Sequence, residues 1–301
     1  MLKAACPFDE RIYGTALLDD EVTRVNPVFS RRFIIRTLAG GVAALLPFRA
    51  RSQENPAADL QVQPSWSYEG VTGPEHWSEL SPDYAACHFG VRQSPIDLVD
   101  ATKISLQDTL KLDYRPVTAR TVSDHAGLKV ALDAGCQIEY YEQNYPLTEF
   151  RFRRPSEHLL SGRALEMELQ FLHAPEASES VMLSVFLRQG AENAGLSAVL
   201  ATLAEARPDG AEKVFVLNPY DLMPNLQQSE EHRAFYTYAG SLTTPPCTER
   251  INWIILKTPA EASPQQIREF ASHFSRNARP AQKLDSRLLL EFDGKSASVA
   301  G

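Results

Sequence analysis

No Cys-x-x-Cys pair occurs among the four cysteines, Cys6, Cys87, Cys136 and Cys247, so the local signature of a structural zinc or thioredoxin-like redox site is missing. Histidine is equally scattered. His76, His88, His125, His158, His173, His232 and His273 never fall within four residues of one another, and no local chelating pair is written into the chain. Positive charge is in deficit: 30 Lys and Arg stand against 38 Asp and Glu, for a formal net charge of -8. That balance argues against a nucleic-acid or anionic-membrane surface, whose affinity a basic patch would supply. The mildly apolar run at 37–47 is too short to span a membrane, and no internal repeat is found. What remains is a 301-residue chain that is 44% hydrophobic, enough for the core of one large β-rich domain or two ordinary ones.

The N-terminal region has its own character. Ser30-Arg31-Arg32, with Ile34, Ile35 and Arg36 behind it, precedes the apolar run, and polar residues 51–54 follow. A basic region, a short apolar segment and a polar boundary are in export-signal order. The paired arginines resemble a twin-arginine signal, with an amphipathic N-terminal helix as the alternative. Residues 1–54 are therefore expected to be an N-terminal extension and export signal. Residues 55–65, polar with two prolines, read as a linker.

From Trp66 onward, short alternating or apolar runs recur between turn signals, at 110–114, 128–133, 138–141, 150–153, 165–172, 181–187, 214–217 and 251–256. Their density, with β-branched and aromatic residues, predicts a mainly β fold: a large, mostly antiparallel sheet with a few short peripheral helices. Helical periodicity is confined to a few segments, around Leu196–Ala206 and in 263–274, where Ser263 and Pro264 form a helix-start signature. A single domain over 66–295 is the economical division.

Separated blocks then carry a resemblance. Residues 92–97, Arg-Gln-Ser-Pro-Ile-Asp, 238–249, Tyr-Ala-Gly-Ser-Leu-Thr-Thr-Pro-Pro-Cys-Thr-Glu, and 277–282, Asn-Ala-Arg-Pro-Ala-Gln, occur in the order found in α-class carbonic anhydrases. The aromatic cluster at 66–77 is similar to that family's N-terminal one. The resemblance implies the α-carbonic anhydrase fold and a disulfide between Cys87 and Cys247, leaving Cys136 as a free thiol. Three reduced buried cysteines are the alternative. In an exported protein, one bridge and one leftover thiol would suit an oxidising compartment.

The same resemblance locates what has changed. Residues 149–158, Glu-Phe-Arg-Phe-Arg-Arg-Pro-Ser-Glu-His, are similar to the family's zinc strand, in which both of the first two arginine positions are histidines. Arg151, Arg153 and Gln170 thus stand at the three zinc-ligand positions. A guanidinium stays protonated and has no lone pair to give, and a glutamine offers one weak carbonyl oxygen. No metal and no cofactor are expected; a site relocated to distant histidines is the alternative. Other parts of the apparatus match: Glu157 and Thr243 as the acid and threonine that share a hydrogen bond, Glu168 as the acid that orients the third ligand, Thr244 beside Thr243, and His125, after a one-residue shift, at the proton-shuttle position.

Charge offers two accounts of the replacement. Removing a divalent cation from beside Glu157 and Glu168 would leave buried negative charge uncompensated. Two guanidiniums restore it. Glu149, two and four residues from Arg151 and Arg153, shares their strand face. One reading is a closed network of Glu149, Glu157 and Glu168 with both arginines, plugging the cavity. The other leaves part of the arginine pair free for a carboxylate, bicarbonate or phosphate. Leu172, Met182, Leu242, Ile251 and Trp253 are expected along the apolar wall of the cavity, where residues larger than valine would narrow it. The expectation is an exported, periplasmic protein inactive in carbon dioxide hydration that binds a small anion or a protein. The rival is a zinc lyase interconverting carbon dioxide and bicarbonate, with zinc as its cofactor. Partners are not expected to include nucleic acid, and no membrane span is expected in the mature protein.

Overall fold

Phenylalanine and arginine alternate along one long strand, and that alternation gives the central sheet two faces of opposite chemistry. The computed structural model describes residues 65–104, 110–175, 179–204, 212–226 and 233–293. The extension, the export signal and all of the linker but Ser65 lie outside them. The described residues belong to one unit, Leu60–Gly301.

Their strands are β1 (Asp97–Leu98), β2 (Thr102–Ile104), β3 (Leu110–Asp113), β4 (Val117–Asp124), β5 (Gly127–Leu132), β6 (Gln137–Tyr140), β7 (Gln143–Arg153) and β8 (Leu159–Leu160), followed by β9 (Met167–His173), β10 (Ser180–Gln189), β11 (Lys213–Leu217), β12 (Phe235–Ser241), β13 (Glu249–Ala262) and β14 (Leu290–Phe292). The main sheet runs β11-β4-β5-β7-β9-β10-β13-β12-β14-β2, with β6 pairing β7 and β3 pairing β6. Most neighbours are antiparallel, as expected. Two pairings in this sheet, β10 with β13 and β14 with β2, are parallel, so the sheet is mixed. Parallel neighbours need a crossover connection, and the chain between β10 and β13 supplies one by way of two further strands and a helix.

Helices are few and short: α1 (Trp77–Leu80), α2 (Ala86–Phe89), α3 (Ala194–Ala204) and α4 (Pro264–His273). The last starts where the sequence says it should. Ser263 Oγ accepts from the Gln266 backbone N–H, and Gln266 Oε1 accepts from the Ser263 N–H, closing a capping box.

The register of β7 against β9 sets up everything that follows. Arg151 pairs with Gln170, and Arg153 with Glu168. Directly opposite residues present their side chains on the same face. Between them, Phe150, Phe152, Leu169 and Phe171 point the other way into the main apolar cluster and are fully buried. Burying each such side chain stabilises by roughly 1.5–3 kcal/mol, so the polar face is held against solvent by an apolar one behind it.

A second constraint ties the far end of the chain to the start of the domain. Cys87, in α2, and Cys247, in the loop before β13, form a disulfide that bridges 160 residues. A loop of that length places the bridge in the range of about 2–5 kcal/mol. Cys136 is a buried free thiol.

Candidate functional site

Arg153 sits on the polar face of β7, only 2% exposed, with its guanidinium almost fully occupied. Nε donates to Gln170 Oε1 at 3.0 Å and lies 3.3 Å from Glu157 Oε2. Nη1 donates to the Tyr68 hydroxyl oxygen at 2.6 Å and to the Ala126 carbonyl at 3.2 Å; Nη2 donates to Thr243 Oγ1 at 3.4 Å. Burial works to strip its charge, but Glu157, Tyr68 and Glu168 together hold its pKa above the ordinary arginine value. Tyr68 is pushed up to about 12, chiefly by burial and against the pull of Arg153. The pair is thus a charged guanidinium capped by a neutral phenol.

Gln170 is used from both ends. Its amide nitrogen donates to Glu157 Oε2 at 2.7 Å and to Glu168 Oε1 at 3.2 Å, while its oxygen accepts from Arg153 Nε. Glu157 Oε1 accepts from the Arg279 backbone N–H at 2.9 Å. Thr243 was expected to donate to Glu157; instead its hydroxyl oxygen accepts from Arg153 Nη2.

Glu168 does not join the arginines directly. One carboxylate oxygen accepts from the backbone N–H groups of Glu157 and His158, each at 2.9 Å. The other meets His158 Nδ1 at 2.8 Å and the Ser184 hydroxyl at 2.7 Å. His158 Nε2 continues to the Tyr238 hydroxyl at 2.8 Å. Burial would raise the Glu168 carboxyl, but His158, Ser184 and the backbone donors overcome it and hold the pKa at about 2 against an ordinary 4.5. A carboxylate with a lowered folded pKa contributes stability that is present above its unfolded pKa and lost as the pH falls through the folded one. Thermal stability should therefore decline between pH 4.5 and about 2, and Glu168→Gln should flatten that slope. Equal slopes in the two proteins would remove Glu168 from the acid response.

Arg151 belongs to a separate cluster nearer the solvent, with its side chain 21% exposed. Its two terminal nitrogens donate to the two Asp124 oxygens at 3.1 and 3.0 Å, and Nε donates to Glu149 Oε1 at 3.3 Å. Lys129 Nζ lies 3.5 Å from the other Glu149 oxygen. The single network expected from the sequence is therefore two: a buried one around Arg153 and an outer one around Arg151. Asp124, Tyr68 and Lys129 are members that the sequence reading missed.

Asp124 arrives by a tight turn. The β4–β5 hairpin turns at Asp124–Gly127, where Gly127 has φ +108° and an added Cβ would lie 2.5 Å from Asn277 Nδ2. Only glycine takes that position without strain. The turn is fixed by Asn277, which donates to the carbonyls of Ala126 and Phe152.

Above this floor opens a cleft of about 1160 Å³, whose walls include Trp66, Phe89, His125, Arg151, Thr244 and Pro246. His125 is exposed, and its ring meets Trp66 edge-on at 4.5 Å. The apolar wall expected from the sequence is not part of this cleft. Met182, Ile251 and Trp253 are buried in the second apolar cluster, with Leu172 and Leu242 packed against it. Trp253 is wholly buried, its indole N–H donating to the Ser241 carbonyl at 3.0 Å. It is core. Glu149, expected to line the cavity, is held by Arg151 and Lys129 at the side of the floor.

The other buried histidine among the described residues, His173, is also structural. Its ring nitrogens meet the Tyr114 hydroxyl at 2.9 Å and the Phe171 carbonyl at 3.1 Å, and burial lowers its pKa to about 3. Among the described residues, no group of three or more His, Cys, Asp or Glu side chains is arranged to hold a metal. The donor set around Arg153 does not fit zinc either: a protonated guanidinium cannot ligate, and its positive charge opposes a divalent cation beside it. Among the described residues, no helix is long and apolar enough to cross a membrane.

Comparison with known proteins agrees with this fold. The profile of the eukaryotic-type carbonic anhydrase family matches residues 72–291. A carbonic anhydrase of Nostoc sp. is 38% identical over 232 residues, covering 75% of this chain and 86% of that protein. The α-carbonic anhydrase of Thermovibrio ammonificans, solved with the inhibitor sulfanilamide, superposes with a TM-score of 0.68 at 33% identity, over 75% of this chain and 99% of the other. A dioscorin solved in complex with ascorbate gives a TM-score of 0.70 at 26% identity, over 78% of this chain and 99% of the other.

Proposed function

Because the chain belongs to the α-carbonic anhydrase family, we propose that it is a member without a working zinc site, silent in carbon dioxide hydration, that acts by binding. The observation that carries this reading is the buried Arg153 guanidinium, ion-paired with Glu157 at 3.3 Å and hydrogen-bonded to Gln170. Arg153 and Gln170 are two of the three positions at which the resemblance places zinc ligands. Each is committed to a neighbour. The cation that the fold would otherwise take from a metal is supplied by the chain itself.

The two accounts of the arginines also separate. Arg153 is neutralised internally, and the terminal nitrogens of Arg151 are both engaged by Asp124. A small anion seated on a free arginine pair at the floor has little support. Binding is assigned instead to the cleft above. That a dioscorin of this fold was solved with ascorbate supports the view that the architecture can serve small-molecule binding. Export to the periplasm, by way of the arginine pair at 31–32, is part of the same proposal and rests on the sequence alone.

The lyase reading has its own support, since relatives at 38% and 32% identity are named carbonic anhydrase. One experiment separates the two. Purified protein is expected to carry zinc far below one equivalent and to leave carbon dioxide hydration at the uncatalysed rate in stopped flow. Stoichiometric zinc with rapid turnover would overturn the proposal.

A further inference from the structure

Three carboxylates, Asp83, Asp124 and Glu249, line the cleft against one guanidinium, Arg151. None of the charge on that guanidinium is spare: it faces both Asp124 oxygens and one Glu149 oxygen, and Lys129 balances the other Glu149 oxygen. Two cations meet two carboxylates. One oxygen of Glu249, Oε1, accepts from the Arg92 backbone N–H at 2.6 Å and from Gln93 Nε2 at 3.0 Å, both uncharged donors. An anion entering here meets more carboxylate than guanidinium and gains no net attraction.

What the wall does offer is donors and acceptors side by side. A guanidinium carries five N–H groups, and Arg151 spends three of them on Asp124 and Glu149. The remaining two adjoin carboxylate oxygens that keep unused lone pairs. Thr244 adds a hydroxyl and His125 a ring, each able to donate or accept. Across from donors and acceptors set side by side, a hydroxyl is the matching partner, since it can both donate and accept a hydrogen bond. Vicinal hydroxyls can bridge an Asp–Arg pair without bringing charge.

Part of the lining is apolar. Phe89 lines the cleft with 74% of its surface exposed, beside Pro245 and Pro246. An aromatic exposed in the lining of a cavity is available to a ligand, and its face suits the C–H side of a saturated ring. We infer that this cleft binds a neutral polyhydroxylated ring of the monosaccharide or cyclitol class, its hydroxyls on Arg151, Asp124 and Thr244 and its apolar face on Phe89. The inference rests on the binding reading above and narrows its ligand.

The test is calorimetric titration of the full-length protein with glucose, galactose and myo-inositol, and with the anions glucuronate and bicarbonate. At least one neutral ring should saturate at a Kd in the range of about 0.01–1 mM, a common strength for a small ligand. Glucuronate should bind no more tightly than its neutral counterpart. Phe89→Ala removes an exposed side chain and should fold normally while weakening the interaction at least about tenfold; Arg151→Ala should do the same. No saturable heat with any neutral ring would overturn the inference, as would tenfold tighter binding of either anion, or binding unaffected in Phe89→Ala. Those outcomes leave the zinc-free reading standing, whereas stoichiometric zinc on the same preparation would strike that reading and not this measurement.

Discussion

Arg153→Ala is expected to lower the midpoint of thermal unfolding by about 6–20 °C. The Arg153 and Glu157 side chains are 3% and 0% exposed, so truncating one leaves the other charged and dry. Breaking a buried pair in this way costs about 3–5 kcal/mol, and each kcal/mol moves the midpoint of a domain this size by about 2–4 °C. The loss has two sources. Glu157 keeps its bonds from Gln170 and the Arg279 backbone but loses its counter-charge. The Tyr68 hydroxyl and the Ala126 carbonyl lose their donor, which loosens both the N-terminal aromatic segment and the turn that presents Asp124. Removing both charges should behave differently. Arg153→Met with Glu157→Gln leaves no uncompensated ion and should recover most of the midpoint. Calorimetry on both variants decides it: an alanine variant within about 2 °C of wild type, or a double variant no better than the single, would mean that the pair does not hold the floor.

The two arginines were legible because strand alternation is a local property. With Phe150 and Phe152 committed to the apolar core, Arg151 and Arg153 could only share the other face, and Gln170 follows from the pairing of β7 with β9. Their counter-ions were harder. Glu157 lies four residues from Arg153 and was found. Asp124 sits 27 residues from Arg151 in sequence, at the end of β4. That strand alternates Val, Ala and Thr on its buried side and shows no apolar run to announce it. The signal was present in the turn itself, since Asp124 followed three residues later by Gly127 is turn chemistry, and the hairpin register then carries the acid over β7. Strand β12 was missed for a similar reason: its tyrosines and Gly240 do not read as a continuous apolar segment. Glu168 was expected beside position 170 and among the arginines; it meets the Gln170 amide but bonds to neither arginine. Its partner His158 reaches it through the loop after β7, and loop geometry is not periodic. The apolar wall lies in packing and not along the described cleft. Met182, Ile251 and Trp253 are large because they fill the second apolar cluster, and side-chain volume alone does not distinguish a core from a cavity lining.

Replacing Arg151, Arg153 and Gln170 together by histidine is expected to raise bound zinc from near zero to about one equivalent per chain, although no single one of these substitutions should do so. The register favours it. Positions 151 and 170 are directly opposite on neighbouring strands and 153 is two residues along the same face, so three imidazoles would project to one side within reach of one tetrahedral ion. The charges favour it as well. The two arginine substitutions remove two positive charges from beside Glu157, Asp124 and Glu149, and a divalent cation returns them, so metal and fold should be linked. Supporting carboxylates are in position: the Gln170 amide already donates to Glu157 and Glu168 at 2.7 and 3.2 Å, and a ring N–H at 170 would find the same acceptors, fixing its tautomer. The metal-free variant should be less stable than wild type, because Glu157 is then buried without a cation. Added zinc at about a thousandfold above its Kd would restore roughly 4 kcal/mol, read as a rise in midpoint of about 8–16 °C. Elemental analysis and thermal unfolding with and without zinc check this directly. A folded triple variant that takes up no zinc would show that more than the three side chains separates this floor from a metal site, and the Arg151–Asp124 cluster at the cleft wall would then be the first place to look.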